Sequence, residues 1–166
     1  MLKADKALIE GLIFAIAMCG WIAVILKVNP RYEMKSYPKE ILDTIPAQTK
    51  EEKKGFMRMA LPALLLFFAI VIICMQSDYA GTDASFITLL LHAFIVLQIW
   101  NLFDLFVFDW IIFCTVNPKF MIIPGTEGNP GYKNYRYHFE GFLKGLLITA
   151  AGALLIAGIV FMLVSA

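Results

Sequence analysis

The residues best suited to chemistry lie close together in one long apolar stretch. Residues 97–110 contain two amides and two carboxylic acids, namely Gln98, Asn101, Asp104 and Asp109. At about 100° per residue, these side chains fall within an arc of about 140° on one side of an α-helix. An aspartate at mid-membrane costs about 2.5–3.5 kcal/mol on insertion scales, so this face must look into a helix bundle or a hydrated cavity.

The leading interpretation is a polar, acidic site that opens to the cytoplasm and binds or transports a cation, a proton or a small polar solute. Intramembrane carboxylates are functional candidates by default, and Asn101 and Asp104 lie deeper in the run than Asp109. Asp109 lies nearer the end of the helix, where a structural ion pair is an equal alternative. The candidate partners for that pair are Arg58, Arg136 and Lys144.

Two other functional classes stay open. One is a membrane-embedded enzyme that acts on a lipid headgroup at the cytoplasmic leaflet, with Asp104 or Asp109 as the base. In that case basic residues beyond the helix would hold the charged substrate, and the candidates are Lys119, Arg136 and His138. The other class is an accessory subunit whose loops dock a partner protein.

A second polar pair, Glu10 and His92, lies toward the other end of the predicted helices. The two side chains could begin a proton path, because histidine changes charge near neutral pH. The simpler interpretation is one internal hydrogen bond that satisfies two buried polar groups.

The sequence shows no metal-ligand spacing and no cofactor motif. His-x-x-x-His and Glu-x-x-His are absent, and Asp104 and Asp109 are five residues apart, which is poor for joint ligation from one α-helix. Cys19, Cys74 and Cys114 lie in different apolar runs and are typical of small packing residues. We therefore expect neither a metal site nor a cofactor.

These residues must be positioned by elements that suit a bilayer. Of the 166 residues, 60% are hydrophobic and 16% are charged, so the chain is more apolar than a soluble domain of this length. Lipid offers no partner for a free backbone N–H or C=O, so each apolar run must be a helix. The sequence predicts an all-α integral membrane protein of a single domain, 1–166, with transmembrane helices at about 7–27, 56–76, 86–116 and 139–164 and loops at 28–55 and 117–138.

Basic residues are sorted by connection. All but two of the 14 Lys and Arg residues lie in or beside the first and third connections, and the exceptions are Lys3 and Lys6. The second connection carries Asp78 and Asp83. The positive-inside rule places loops one and three in the cytoplasm and both termini outside, in a cell (inner) membrane. The net charge of +1 gives no indication of a nucleic-acid partner.

The two cytoplasmic loops begin and end with similar motifs. Residues 28–32 (Val-Asn-Pro-Arg-Tyr) resemble 116–120 (Val-Asn-Pro-Lys-Phe), and 55–58 (Gly-Phe-Met-Arg) resemble 141–144 (Gly-Phe-Leu-Lys). This pattern indicates two tandem hairpins whose equivalent helices run parallel. The alternative is that helix-stopping prolines and interfacial aromatic residues recur in any membrane protein.

Small residues recur at every fourth position in the first and fourth helices. Such ridges let helices approach closely, either inside a four-helix bundle or along the seam of a homo-oligomer. The ridges are Gly11, Ala15, Cys19 and Ala23, and Gly141, Gly145, Thr149, Ala153 and Ala157. Internal packing is the simpler interpretation, and the other expected partner is the lipid bilayer.

The ends of the second helix and the form of the loops also follow from local patterns. Thr49 and Glu52 have capping-box spacing, and Pro62 should kink the helix that they start. Residues 38–45 are expected to form a short interfacial helix, and the turn formers in 124–131 predict a compact loop.

Overall fold

The computed structural model describes residues 1–165, and four of its helices are long and apolar enough to cross a membrane. Within those residues there is no strand, so the all-α class is confirmed. The helices are α1 (Ala4–Val28), α2 (Lys39–Leu42), α3 (Lys50–Tyr79), α4 (Phe86–Phe103) and α5 (Tyr135–Ser165). A π-helix, Asp104–Val116, continues α4, and 3-10 turns occupy Pro30–Ser36, Lys119–Met121 and Pro130–Lys133.

Helix α3 starts at the predicted capping box. The Thr49 hydroxyl accepts a hydrogen bond from the Glu52 backbone N–H at 3.1 Å, and the Glu52 carboxylate accepts one from the Thr49 N–H at 2.7 Å. The other Glu52 oxygen lies 2.5 Å from Nε of Arg31, which ties this helix start to the first loop. Pro62 lies inside the helix, as its position in the apolar run predicts.

The π-helix that continues α4 is wound more widely than an α-helix. The Asn117 N–H donates to the carbonyl of Ile112 at 2.8 Å, and the Thr115 hydroxyl donates to that of Trp110 at 2.7 Å, each reaching back five residues. Because each turn of a π-helix holds more residues than a turn of an α-helix, residues five apart are offset by a smaller angle. Asp104 and Asp109 therefore share a face more closely than the α-helical spacing predicts.

Helix α4 is the central helix, packed between α1 and α5. A Cβ on Gly11 would lie 2.6 Å from Cδ1 of Ile99, so α1 meets α4 at this glycine. On the other side, the side-chain amide of Asn101 packs directly against Gly145 of α5. Gly11 and Gly145 thus serve packing within the chain, whereas Gly141 at the start of the second ridge is exposed, and a homo-oligomer stays a prediction.

The first and third loops pack on one another at one end of the helices. The buried Tyr37 hydroxyl donates to the carbonyl of Met121 at 2.8 Å, and the Asn129 amide donates to the carbonyl of Glu40 at 3.0 Å. A hydrophobic core fills this end, and its members include Met34, Tyr37, Ile41, Phe113, Met121, Ile123 and Tyr132.

The two Asn-Pro turns have different backbones. Asn29 is extended, with φ −162°, and its side chain accepts a hydrogen bond from the Arg31 N–H at 2.9 Å. Asn117 is left-handed, with φ 45°, a conformation that asparagine tolerates better than most residues. The similar motifs therefore close an α-helix in one case and a π-helix in the other, and the duplication of a hairpin stays a prediction.

Candidate functional site

A polar cavity of about 420 Å³ lies at the loop end of the helices. Its walls come from the end of α4, the start of the π-helix, the first half of α5 and the 3-10 turn at Pro30–Ser36. The polar side chains that line it include Asn101, Asp104, Asp109, His138 and Thr149. Three of the four residues that the sequence groups on one helical face are thus brought to one cavity.

Asp104 occupies the first position of the π-helix and lines the cavity. In the described part of the chain, no Lys or Arg lies within ion-pair distance of its carboxylate. Its partner is the thiol of Cys19 in α1, which donates to Oδ1 over 3.7 Å. Cys19 is buried, as a packing residue should be, and it also touches the candidate site.

Asp109 is paired with His138, at the start of α5, rather than with a lysine or arginine. Its Oδ1 lies 3.1 Å from Nδ1 of the histidine, whose side chain is only 4% exposed. None of Arg58, Arg136 and Lys144 forms an ion pair with it among residues 1–165. The Asp109 carboxylate holds the imidazole in one orientation, with Nε2 left over for another partner.

Two buried polar atoms at the cavity have no hydrogen-bond partner within the described residues. They are Nε2 of His138 and the indole Nε1 of Trp100, and both residues line the cavity. Buried polar groups in native proteins are nearly always hydrogen-bonded, and the exceptions mark bound water, ions or functional sites. Both atoms are covered by neighbouring groups, so a molecule in the cavity would reach them only after those groups moved.

A smaller cavity of about 80 Å³ adjoins this cluster. Asp104, Asp109 and His138 line both cavities, while Glu33 lines only the smaller one of the two. Burial raises the pKa of Glu33 above the usual range for a glutamate, and the hydroxyl of Ser36, which donates to its carboxylate at 3.4 Å, partly offsets this. The Glu33 carboxyl thus resists ionisation beside the two aspartates.

The rim of the larger cavity carries opposite charges. Lys35, Glu140 and Lys144 line the cavity and are exposed to solvent. The Tyr137 hydroxyl donates to the carbonyl of Lys35 at 2.9 Å, so the first loop is fastened to α5 beside the opening. The site therefore has carboxylates inside, and two ammonium groups and one carboxylate at its edge.

Other residues that the sequence singled out have different surroundings. Gln98 does not line the cavity; its amide donates to the Thr149 hydroxyl at 2.7 Å and so joins α4 to α5. Arg136 is 88% exposed and pairs with Glu140 four residues later, at 2.9 Å. Lys119 is exposed in the third loop and does not line this cavity. Of the three cytoplasmic-face candidates, His138 is the one at the site.

The second predicted pair is brought together near the opposite end of the helices. Nε2 of His92 lies 3.1 Å from the Glu10 carboxylate, and Nδ1 lies 3.1 Å from the hydroxyl of Tyr79. Along α4, the buried Ala93, Val96 and Leu97 separate this group from the cavity at Asn101.

Several site residues have no clear signal in the sequence. Trp100 and Tyr137 read as ordinary apolar or interfacial aromatic residues, and Ser36 as part of a polar loop. The contact between Cys19 and Asp104 joins residues 85 apart. Only the small-residue ridge that contains Cys19 indicates that this part of α1 packs closely against another helix.

No protein-family model matches the chain, and neither a curated protein nor a solved structure is detectably similar to it. Only the fold therefore bears on the class of protein. Four long apolar helices are compatible with a polytopic membrane protein.

Proposed function

We propose that the protein is a multi-pass inner-membrane protein whose loop-side cavity binds a small polar solute that carries a protonated amine. The observation that supports this most is the placement of Asp104 and Asp109 on one face of a π-helix, lining a cavity without a lysine or arginine partner. An ammonium group in the cavity would be a counter-ion for Asp104, which has no basic partner, and would lie beside the Asp109–His138 pair.

The size of the cavity favours a solute over a bare ion or a proton. Small-molecule sites usually have volumes of about 300–1,000 Å³, and this cavity has about 420 Å³. The partnerless atoms Nε2 of His138 and Nε1 of Trp100 would supply further polar contacts once neighbouring side chains move to open them to the cavity. An indole N–H can only donate, so the solute should also offer an acceptor.

The charges at the rim suit a solute with both signs of charge. Lys35 and Lys144 are exposed at the edge of the cavity, whereas Asp104 and Asp109 are half-buried within it. A zwitterion such as an amino acid or a phosphorylated amino alcohol could place its amine inward and its anionic group at the rim. Its entry would then be steered by the lysines.

The distribution of basic residues supports an orientation with the cavity facing the cytoplasm. Apart from Lys3 and Lys6, the Lys and Arg residues lie in or beside the first and third loops. These loops pack together beside the cavity. Both termini would then be outside the cell.

Transport is the natural extension of binding. Beyond the cavity, Ala93, Val96 and Leu97 in α4 form a fully buried apolar layer. A carrier would have to open this layer while the solute is held, as in alternating access. The first property to establish is therefore binding, and the second is flux.

The test uses the full-length protein in detergent and then in proteoliposomes. A thermal-shift panel of ammonium, ethanolamine, choline, putrescine, glycine and phosphoethanolamine should reveal at least one stabilising amine. Flux of that amine should be abolished in Asp104→Asn and retained in Asp83→Asn, a control in the second connection. If no amine stabilises the protein, or if Asp104→Asn binds and transports normally, the proposal is wrong.

One observation favours a second candidate, an enzyme that acts on a lipid headgroup. The Asp109–His138 pair leaves Nε2 of the imidazole facing no partner, which is the arrangement of a general base oriented by a carboxylate. Such an enzyme would convert a phospholipid headgroup in mixed micelles. His138→Gln should then abolish turnover and leave lipid binding largely intact, and the absence of any turnover would exclude this candidate.

A further inference from the structure

The geometry points to a binding site for a divalent transition metal of the Zn²⁺ class at the end of the bundle opposite the cavity. The ligands would be Glu10 of α1, Asp78 of α3 and His92 of α4. One ligand atom from each lies within 4.8 Å of the other two. The sequence hides this set, because the three residues come from three helices and share no ligand spacing. The inference is independent of the proposed solute site.

The Asp78 carboxylate is the group that indicates a missing partner. Its side chain is 9% exposed, and Oδ1 pairs with the ammonium group of Lys6. Oδ2 is buried and, within residues 1–165, receives no hydrogen bond from a nitrogen or hydroxyl donor, and the polar side chain that the Asp78 carboxyl faces besides Lys6 is the acidic Glu10. A buried carboxylate oxygen without a partner is costly, and a cation beside it would satisfy it.

Glu10 and His92 complete the donor set. The imidazole of His92 is fully buried, and its Nε2 is directed at the Glu10 carboxylate, 3.1 Å away. The two carboxylates lie close together, yet Lys6 contacts that of Asp78 alone. A divalent cation between the three side chains would neutralise the second carboxylate and take the lone pair of Nε2.

A second hydrogen bond fixes the orientation of the His92 ring. Nδ1 of His92 lies 3.1 Å from the hydroxyl of Tyr79, and that hydroxyl accepts a hydrogen bond from the Lys3 backbone N–H at 3.1 Å. With a metal on Nε2, Nδ1 carries the proton and donates to the Tyr79 oxygen. Such a second partner fixes the orientation of a ligating imidazole.

The chemistry of the donors selects the class of metal. One imidazole nitrogen with two carboxylates suits Zn²⁺ and its neighbours, whereas Ca²⁺ and Mg²⁺ prefer all-oxygen sites. Ligand atoms around a tetrahedral metal with bonds of about 2.0–2.2 Å lie about 3.4 Å apart. Nε2 of His92 and the Glu10 oxygen, 3.1 Å apart, are already near that separation, and the 20% exposed Glu10 carboxylate can adjust to the metal. The fourth position would hold water on that exposed side.

The test is titration of the full-length protein in detergent with Zn²⁺ alone, and with Co²⁺ to observe the absorption bands of a tetrahedral nitrogen–oxygen site. Glu10→Gln and His92→Gln should each weaken binding at least about tenfold. Asp83→Asn and His138→Gln are the controls and should leave this affinity unchanged. Because His92 is buried, thermal denaturation is measured for each variant to check that it folds. If His92→Gln does not fold, Glu10→Gln is the deciding variant.

Lys6 gives a test of opposite sign. Lys6→Ala removes the competing ammonium group from Asp78, so Zn²⁺ should bind more tightly, by about threefold or more, although the ion pair is lost. A purely structural cluster would lose stability in this variant and would gain no metal affinity. The inference is overturned if the wild-type protein does not bind Zn²⁺, if folded Glu10→Gln binds it equally well, or if Lys6→Ala binds it no more tightly.

Discussion

Oδ1 of Asp109 lies 3.1 Å from Nδ1 of His138, and this contact joins the π-helix to the first turn of α5. A π-helix is rarely longer than one turn and is frequent at functional sites. Here it brings Asp109 to the same face as Asp104, and His138 then turns the pair of acids into a three-residue cluster at a cavity. The binding proposal depends on this cluster.

The two aspartates should differ in their effect on stability. Asp109→Ala leaves Nδ1 of the buried His138 without its partner, which should lower the free energy of unfolding by about 1–3 kcal/mol. Asp104→Asn removes a charge that has no cationic partner, so it should leave stability unchanged or raise it. Thermal denaturation of both variants in the same detergent measures the contrast, and a large loss for Asp104→Asn would contradict it.

Gly145 should not tolerate a side chain. A Cβ there would collide with the amide oxygen of Asn101, so Gly145→Ala should lower the melting temperature and distort the cavity wall. Gly158→Ala is the matched control in α5, because nothing lies within 4 Å of its Cβ position. There the gain in helix propensity, about 1 kcal/mol, should dominate and stabilise the protein. Equal effects of the two substitutions would show that α4 and α5 do not pack as described.

Glu33 should make stability depend on pH. Its pKa is raised by burial in the folded protein, so ionisation costs the folded state more than the unfolded state. The stability of the wild-type protein should therefore fall, relative to Glu33→Gln, as pH rises above the ordinary glutamate value of about 4.3 and should level off above the raised pKa. Melting temperatures of both proteins, measured from about pH 4 to about pH 8, test this.

Ser36 offers a control on the same group. Its hydroxyl donates to the Glu33 carboxylate and lowers the pKa of that group. Ser36→Ala should therefore raise the pKa further and increase the loss of stability between low and neutral pH. In the Glu33→Gln background, Ser36→Ala should have no such effect. If Ser36→Ala changes the pH dependence of stability equally with Glu33 and with Glu33→Gln, Glu33 is not the titrating group.

The proposed orientation predicts which positions react from outside an intact cell. In a variant without native cysteines, Asp83→Cys should react with a membrane-impermeant maleimide before cells are permeabilised. Glu127→Cys, exposed in the third loop, should react only afterwards. The reverse pattern would place the cavity outside the cell.

Much of the fold follows from local patterns. The four apolar runs and the capping box at Thr49 and Glu52 predict the long helices and the start of α3, because these features depend on nearby residues. The π-helix does not follow, because an apolar run such as residues 104–116 has no polar periodicity that could distinguish its winding from that of an α-helix.

The site is predictable only as a helical face. Gln98, Asn101, Asp104 and Asp109 can be grouped from their spacing, but whether each meets a partner or a cavity depends on other helices. Thr149 satisfies Gln98, while the acids remain at the cavity. Such distant contacts leave no trace in one sequence, and a histidine in a turn-rich connection does not reveal which acid it will meet.

Equilibrium binding of the amine that stabilises the wild-type protein best tests the solute site at Asp104 and Asp109 directly. Wild-type protein, Asp104→Asn, Asp109→Asn and the control Asp83→Asn are compared at equal concentration in one detergent. A charge-assisted hydrogen bond contributes about 1.5–3 kcal/mol, so each cavity variant should lose at least about tenfold in affinity. Asp83→Asn should bind as the wild-type protein does. Equal affinity in all four proteins would contradict a solute site at these aspartates.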